Sequence, residues 1–300
     1  MSVPLALLAT ILIWSTTPLA IKWSSAGPGF MFAVTARMTI GVLGCLLLLF
    51  LVRGRLYWHK AAVTTYLAAG LGIYGAMSCV YWGAQFIPSG QVSVIFGLTP
   101  LITGLMASYW LGEQALTPIR LLGLASALSG LVLIFGNGIH AGFMAMFGML
   151  SVFVAVVLHS LSTVWVKRIG ADLPVMTVTT GGLVTALPFY LVTWGLVDGS
   201  LPETIPDKAL ASIVYLGLFG SVMGFILFYY VLKHVEASRV GLIPLVTPVS
   251  AMAVGSLLNG EAIPTIVWSG TGLILLGMSV YQWGHLLLRR RRPAVAMQED

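Results

Sequence analysis

The chain has 300 residues, 58% hydrophobic and 8% charged, with a formal charge of +6 and a mean hydropathy of +0.99. Soluble domains carry about 25% charged residues, so a soluble fold is excluded and a polytopic membrane protein is left. The positive charge does not indicate nucleic acid, because most basic residues sit at the ends of apolar spans, where they orient a chain in the bilayer. The largest polar stretch, residues 198–208, is a loop and leaves no room for a folded soluble domain. Cys45 and Cys79 both lie in apolar runs and read as small core residues, not as a disulfide framework.

A helix needs about 20 residues to cross the hydrocarbon core. Uncharged stretches supply ten such spans: 3–21, 30–52, 62–87, 90–112, 119–137, 143–166, 174–197, 209–232, 239–259 and 265–286. The first begins at once and lacks the basic n-region of a signal peptide, so it reads as a retained span. The third and fourth share one uncharged run, which is too long for a single crossing. Pro88-Ser89-Gly90 is its natural break. Residues after Arg292 have the composition of a disordered tail.

With the N-terminus in the cytoplasm, the inside loops hold Arg53, Arg55, Lys60, Arg120, Lys167, Arg168, Lys233, Arg239 and Arg289 to Arg292. The outside loops hold only Lys22 and Lys208. This positive-inside bias predicts both termini cytoplasmic. The fifteenth basic residue, Arg37, lies inside the second span, about 10 Å from its start at 1.5 Å per residue.

The chain also repeats itself. Thr99-Pro100 and Gly112-Glu113 recur as Thr247-Pro248 and Gly260-Glu261, each displaced by 148 positions. Gly72, Tyr81 and Trp82 align with Gly220, Tyr229 and Tyr230 at the same offset, and Gln91-Val92 aligns with Arg239-Val240. Gly123 and Gly130 align with Gly270 and Gly277 one residue short of it. Lys22, closing the first span, matches Lys167, closing the sixth. The predicted fold is therefore all-α, with ten transmembrane helices in two five-helix repeats. They cover 1–139 and 140–288, with a basic cytoplasmic tail at 289–300. Five crossings per copy invert the second copy. A substrate site is then expected near the bilayer midplane, between the copies.

These residues carry a family resemblance. The stretches that open LTPLITGLMASYWLGEQ and VTPVSAMAVGSLLNGEA look like the C-terminal halves of two EamA domains. IWSTTPLAIKW near the start and TARMTIGVL around Arg37 look like other parts of one. The chain resembles the ten-helix EamA-type members of the drug/metabolite transporter superfamily over residues 3–288. The resemblance implies export of amino acids or other small metabolites across a bacterial cytoplasmic membrane, with aromatic amino-acid exporters as the nearest relatives in kind. The sixth span departs from the first in carrying His159 where a counterpart of Trp14 would stand.

Several residues stand out as candidates for a substrate site. Tyr74, Ser78, Tyr81, Trp82 and Gln85 share one face of the third span, and aromatic walls with polar tips suit an amphipathic small molecule. Phe225, Tyr229 and Tyr230 resemble this face in the eighth span. The competing reading places Tyr81 and Trp82 in the interfacial aromatic belt. Trp14, mid-span, needs a partner for its indole N–H or a wet cavity. His159, near Ser160 and Thr163, reads as a substrate or gating group or as a neutral histidine bonded to a neighbouring helix. Pro100 and Pro248 are candidate bends of the fourth and ninth spans around the cavity. Arg37 suits a substrate carboxylate, or a snorkelling or carbonyl-bonding role. The structural role is favoured, and Arg37 is not among the expected site residues. Glu113 and Glu261 read as helix-end residues. Gly123, Ala127 and Gly130 form a small-residue stripe, for packing within the bundle or between protomers.

No acid lies at a midplane, which argues against a carrier of permanent cations. Facilitated export of a neutral or zwitterionic amphipathic metabolite is expected, most naturally an apolar or aromatic amino acid. A proton-coupled multidrug or metabolite carrier is the alternative. A membrane enzyme is disfavoured by the lack of HExxH, CxxC, Walker and dinucleotide motifs. No cofactor or metal is expected. The partners are a small-molecule substrate and the lipid bilayer, and a monomer suffices.

Overall fold

A computed structural model describes residues 2–113, 117–235 and 243–289, apart from the side chains at 137–141, 243–246, 282 and 285–289. Arg239-Val240 and the tail after Arg292 lie outside the described residues. Ten helices follow in order. They are α1 (Val3–Ser25), α2 (Phe30–Leu51), α3 (Lys60–Gly83), α4, α5 (Pro118–Ala141), α6 (Phe143–Ile169), α7 (Val175–Val197), α8, α9 (Ile243–Asn259) and α10 (Thr265–Arg289). Two are interrupted. Helix α4 consists of α4a (Ser89–Phe96) and α4b (Thr99–Leu111). Helix α8 consists of α8a (Asp207–Tyr215), a π-helical stretch Leu216–Met223, and α8b (Gly224–His234). With each interrupted helix taken as one, eight are, among the described residues, long and apolar enough to cross a membrane. The described part of α9 has 17 residues.

The outer surface is apolar and the interior is mixed, the inverse of a soluble protein. Leu12, Leu43, Phe50, Tyr109, Val132 and Leu257 are exposed, while Thr10, Ser15, Thr35, Thr65, Ser160 and Thr180 are buried. Hydrocarbon offers no hydrogen bonds, so buried hydroxyls need partners nearby. Many return to their own helix. Thr10 Oγ1 donates to Ala6 O at 2.7 Å, Ser15 to Ile11 O at 2.7 Å and Thr65 to Ala61 O at 2.7 Å.

The repeated Gly-Glu pairs form equivalent helix ends. Gly112 and Gly260 take left-handed φ values of 69° and 62°, which glycine adopts without a Cβ penalty. The next residue then turns back over the helix. Glu113 N donates to Ala107 O and Glu261 N to Gly255 O, both at 3.3 Å. In both places a carbonyl near the helix end gains a donor from beyond a left-handed glycine.

Helix pairing follows the repeat. Helices α2 and α7, α4 and α9, and α5 and α10 each pack on their own counterpart. Helix α1 packs on α8 and α9, and α6 packs on α3 and α4. Exchanging each helix for the one five places away turns the contacts of α1 into those of α6, so the bundle is pseudo-symmetric. The lysines agree with this. Lys22 Nζ donates to Ile87 O at 3.3 Å beyond the end of α3, and Lys167 Nζ donates to Val235 O at 2.8 Å beyond the end of α8. Ile87 and Val235 are 148 positions apart. In both places a lysine meets carbonyls at the negative end of a helix dipole.

The small-residue stripe of α5 packs inside the bundle. A Cβ on Gly123 would meet Gly277 O at 2.5 Å and Tyr281 N at 2.7 Å, and one on Gly270 would meet Gly130 O at 2.8 Å. Backbones approach this closely only where side chains are missing.

At the Lys22 end, Glu261 is the central group. Its Oε2 accepts from Ser89 N at 2.9 Å and from Ser89 Oγ at 2.8 Å, capping α4a. Its Oε1 accepts from Asn259 Nδ2 at 3.1 Å and pairs with Lys22 Nζ at 3.6 Å. Asn259 Oδ1 accepts from Trp23 Nε1 at 2.8 Å, and Lys208 Nζ lies 3.8 Å over the Trp23 ring. Helices α1, α4a, α8a and the α9–α10 turn are thus tied together.

Two variants test this packing. Gly123→Leu is expected to destabilise the protein by about 1–3 kcal/mol through overpacking, read as a lower thermal midpoint in detergent. Leu122→Ala, on the 65% exposed neighbour, should leave that midpoint nearly unchanged. Glu261→Ala is expected to cost about 1–3 kcal/mol in the same assay, because it strands the buried donors of Ser89.

Candidate functional site

A central cavity lies between the two halves. It is lined by Trp14, Thr17, Pro18 and Ile21 of α1, Arg37 of α2, Met77 and Val80 of α3, and Val92, Ser93 and Phe96 of α4a. His159 of α6, Gly220 and Phe225 of α8, and Thr247 of α9 complete it. Its volume is about 80 Å³. That is room for a few water-sized molecules.

The two helix interruptions both border this cavity. In α4 the regular ladder stops at Gly97-Leu98, and Thr99 Oγ1 donates to Phe96 O at 2.6 Å. Pro100 opens α4b in the first turn, where its missing N–H costs nothing. A Cβ on Gly97 would lie 3.5 Å from Pro248 Cγ of α9. The repeated prolines therefore stand near the α4–α9 crossing, one at a break and one inside a continuous helix.

The π-helical stretch of α8 does the other part. π-Segments inside helices are found mostly at functional sites. Here it brings Gly220 and Ser221 against α2 and leads into Gly224 beside α1. A Cβ on Gly220 would lie 3.1 Å from Arg37 Nη2, and one on Gly224 would lie 3.1 Å from Trp14 Nε1. The two glycines are four residues apart, so the guanidinium and the indole N–H face positions about one helical turn apart.

Aromatic rings close the other wall. Trp14 stacks on Phe228 with centroids 5.5 Å apart, and His159 lies 5.1 Å from Phe228, 6.1 Å from Trp14 and 6.2 Å from Phe96. Thr163 is buried one turn along α6, and its Oγ1 donates to His159 O at 2.8 Å.

The expected residues fall into four places. Trp14, His159 and Phe225 line the central cavity. Tyr74 and Ser78 face α7. The Tyr74 hydroxyl is 2.6 Å from Thr193 Oγ1, its ring is 5.0 Å from Tyr190, and Ser78 stands beside the Tyr190 hydroxyl. Tyr81 is fully buried behind the cavity wall, its ring centroid 5.9 Å from the Arg37 guanidinium. Tyr229 lines a second cavity near the Lys167 end, of about 240 Å³, with Thr65, Val178, Lys167, Asp172 and Lys233. There Lys233 Nζ donates to Asp172 Oδ1 at 2.7 Å, and this lysine holds the Asp172 carboxyl below its ordinary range. Met77, Ser93 and Phe96 were not singled out from sequence, and Thr247 stood out there only as half of the repeated Thr-Pro pair, not as a site residue. Ser93 carries no signal there beyond being a hydroxyl in an apolar run. Among the described residues, no group of three or more His, Cys, Asp or Glu side chains could hold a metal.

Comparisons agree with this architecture. A solved crystal structure superimposes with a TM-score of 0.71 at 23% identity, covering 97% of this chain and 99% of that one, which speaks for the fold. The uncharacterized transporter YoaV of Bacillus subtilis is 27% identical over 92% of this chain and 95% of its own length. A probable terminal-alkyne amino-acid exporter of Streptantibioticus cattleyicolor is 27% identical over 96% of this chain and 95% of its own. The sequence profile of the EamA-like transporter family matches residues 1–136 and again 146–281. The chain is an integral membrane transporter, not an enzyme, and it belongs to the EamA-like transporter family.

Proposed function

We propose that this transporter exports a small amphipathic metabolite, an amino acid with an apolar or aromatic side chain, by alternating access across a bacterial inner membrane. The observation that carries the reading is the cavity itself. It lies between the halves, is lined from both, and joins aromatic rings to a few polar groups. Aromatic faces take up flat apolar groups, and convergent polar groups fix orientation. The similarity to an amino-acid exporter supports the substrate class.

The two copies, 1–139 and 140–288, are read as inverted. Lys22 and the N-terminal end of α6 lie at one end of the bundle. Ile87 O meets Lys22, and the nearby Gly83 O stands 3.0 Å from where a Cβ of Gly148 would be. Lys167 closes α6 at its other end, about 28 Å away at 1.5 Å per residue. Equivalent lysine contacts at opposite ends support opposite orientations. Alternating access then consists of releasing one end while the other is tied. The Glu261 network is the tie on the outer side in this reading, and Pro100 and Pro248 mark the places where α4 and α9 bend. Among the described residues the cavity lining holds no acid, which favours facilitated exchange without a coupling ion.

Counterflow in proteoliposomes tests the reading. Labelled phenylalanine or leucine is expected to accumulate transiently against unlabelled substrate, to saturate, and to need no imposed proton or sodium gradient. Linear, unsaturable flux without trans-stimulation would instead indicate a channel. Trp14→Ala is expected to cost roughly five- to thirtyfold in apparent affinity for aromatic substrates, from about 1–2 kcal/mol of lost apolar contact. Alanine or serine transport should change much less.

Topology has its own test. A cysteine placed at Arg55 should resist an impermeant external reagent, and one at Glu203 should react. The reverse pattern rejects cytoplasmic termini.

A further inference from the structure

Arg37 is the one charged side chain among the residues lining the central cavity, and it is 2% exposed. A guanidinium presents five N–H donors and cannot shed its charge. Its Nε donates to Ser221 Oγ at 3.0 Å and its Nη1 faces Met77 Sδ at 3.9 Å, a neutral hydroxyl and a weak acceptor. The ring of Tyr81 adds a face at 5.9 Å. Among the described residues no carboxylate lies within ion-pair distance of it: the two ion pairs present are Lys22–Glu261 and Lys233–Asp172. A permanent charge buried in an apolar membrane interior without a counter-ion is costly and marks a functional position.

The surroundings direct this charge into the cavity. The π-helical stretch puts Gly220 opposite the guanidinium, where any Cβ would crowd Nη2. Ser221 holds Nε, which leaves the outer edge of the fork for another partner. The forked N–H pair matches a carboxylate in two parallel hydrogen bonds. About one helical turn away stands Trp14, with Phe225 on the same wall. An aryl or alkyl group joined to a carboxylate by one or two carbons spans that interval.

We propose that Arg37 is the carboxylate subsite of this cavity, and that the transporter requires a carboxylate on its substrate but not an ammonium group. The second half follows from the lining. It offers hydroxyls of Thr17, Ser93 and Thr247 and the imidazole of His159, but among the described residues no acid to pair with an ammonium. Aromatic and branched-chain monocarboxylates are then accepted beside the corresponding amino acids, and amides or amines of the same shape are rejected. The proposal rests on the central cavity being the substrate site, not on the substrate being an amino acid.

The test is ligand-induced thermal stabilisation of the purified full chain in detergent. The probes are 3-phenylpropanoate, 3-phenylpropanamide and phenylalanine, with sodium chloride at matched concentration. 3-Phenylpropanoate is expected to raise the midpoint in a saturable way, and the amide and chloride are not. Arg37→Gln should weaken binding of the acid at least tenfold and erase its advantage over the amide, while Arg37→Lys should keep part of it. If Arg37→Gln does not fold, Gly220→Ala is used. It crowds the guanidinium without removing the charge, and is expected to weaken the acid severalfold without helping the amide. Binding of 3-phenylpropanoate without binding of phenylalanine would reject the amino-acid reading and leave this one standing. Equal stabilisation by acid and amide, or by chloride, overturns it. So does the absence of any stabilisation by the acid, or acid binding that is unchanged in both variants.

Discussion

The rest of the structure depends on one constraint: in hydrocarbon, each backbone N–H and C=O must find its partner inside the protein. The chain meets it with ten helices, and many of its buried hydroxyls fold back onto carbonyls of their own helix. Irregular backbone is tolerated only where it faces protein or a cavity. The two helix interruptions obey this. The break at Gly97-Leu98 and the π-helical stretch at Leu216–Met223 both border the central cavity. Freed carbonyls and glycine-sized gaps are thereby concentrated where a substrate would pass.

A second consequence concerns close packing. Lipid tails are as apolar as leucine, so helices do not associate to escape solvent, and contact must come from shape. The glycines of α5 and α10 allow backbone to meet backbone, which makes this self-paired couple the closest approach along the pseudo-symmetry. The ends of the bundle are held differently, by charge. Lys22 and Lys167 donate to carbonyls beyond α3 and α8, and Glu261 caps α4a. Such contacts form and break with small movements, whereas an interdigitated glycine seam does not. The bundle therefore combines a rigid seam with ties at its ends that can be exchanged.

The cavity sets these features to use. Arg37 and Trp14 approach α8 at two glycines one turn apart, and Phe228, His159 and Phe96 complete an aromatic wall. The space between these walls is about 80 Å³.

Much of this was legible in the amino-acid sequence. Apolar runs of about 20 residues determined the class and the number of helices, because span length is set by bilayer thickness. The displaced Thr-Pro and Gly-Glu pairs determined the repeat, because a left-handed cap needs glycine at the same place in each copy. Trp14 and His159 stood out because large polar-tipped or ionisable groups are rare mid-span, and Phe225 because it resembles, in the eighth span, the aromatic face of the third. Other features were decided only by tertiary structure. Tyr74 and Ser78 share a helical face, but periodicity cannot say whether that face meets a cavity or, as found, α7. The sequence LGLFGSVM reads as ordinary helix, and its π form depends on fitting Gly217 and Gly220 against α2. Arg37 shows its depth in the sequence and not its partners. Whether a buried charge is compensated is a property of the helices around it, and those come from distant parts of the chain.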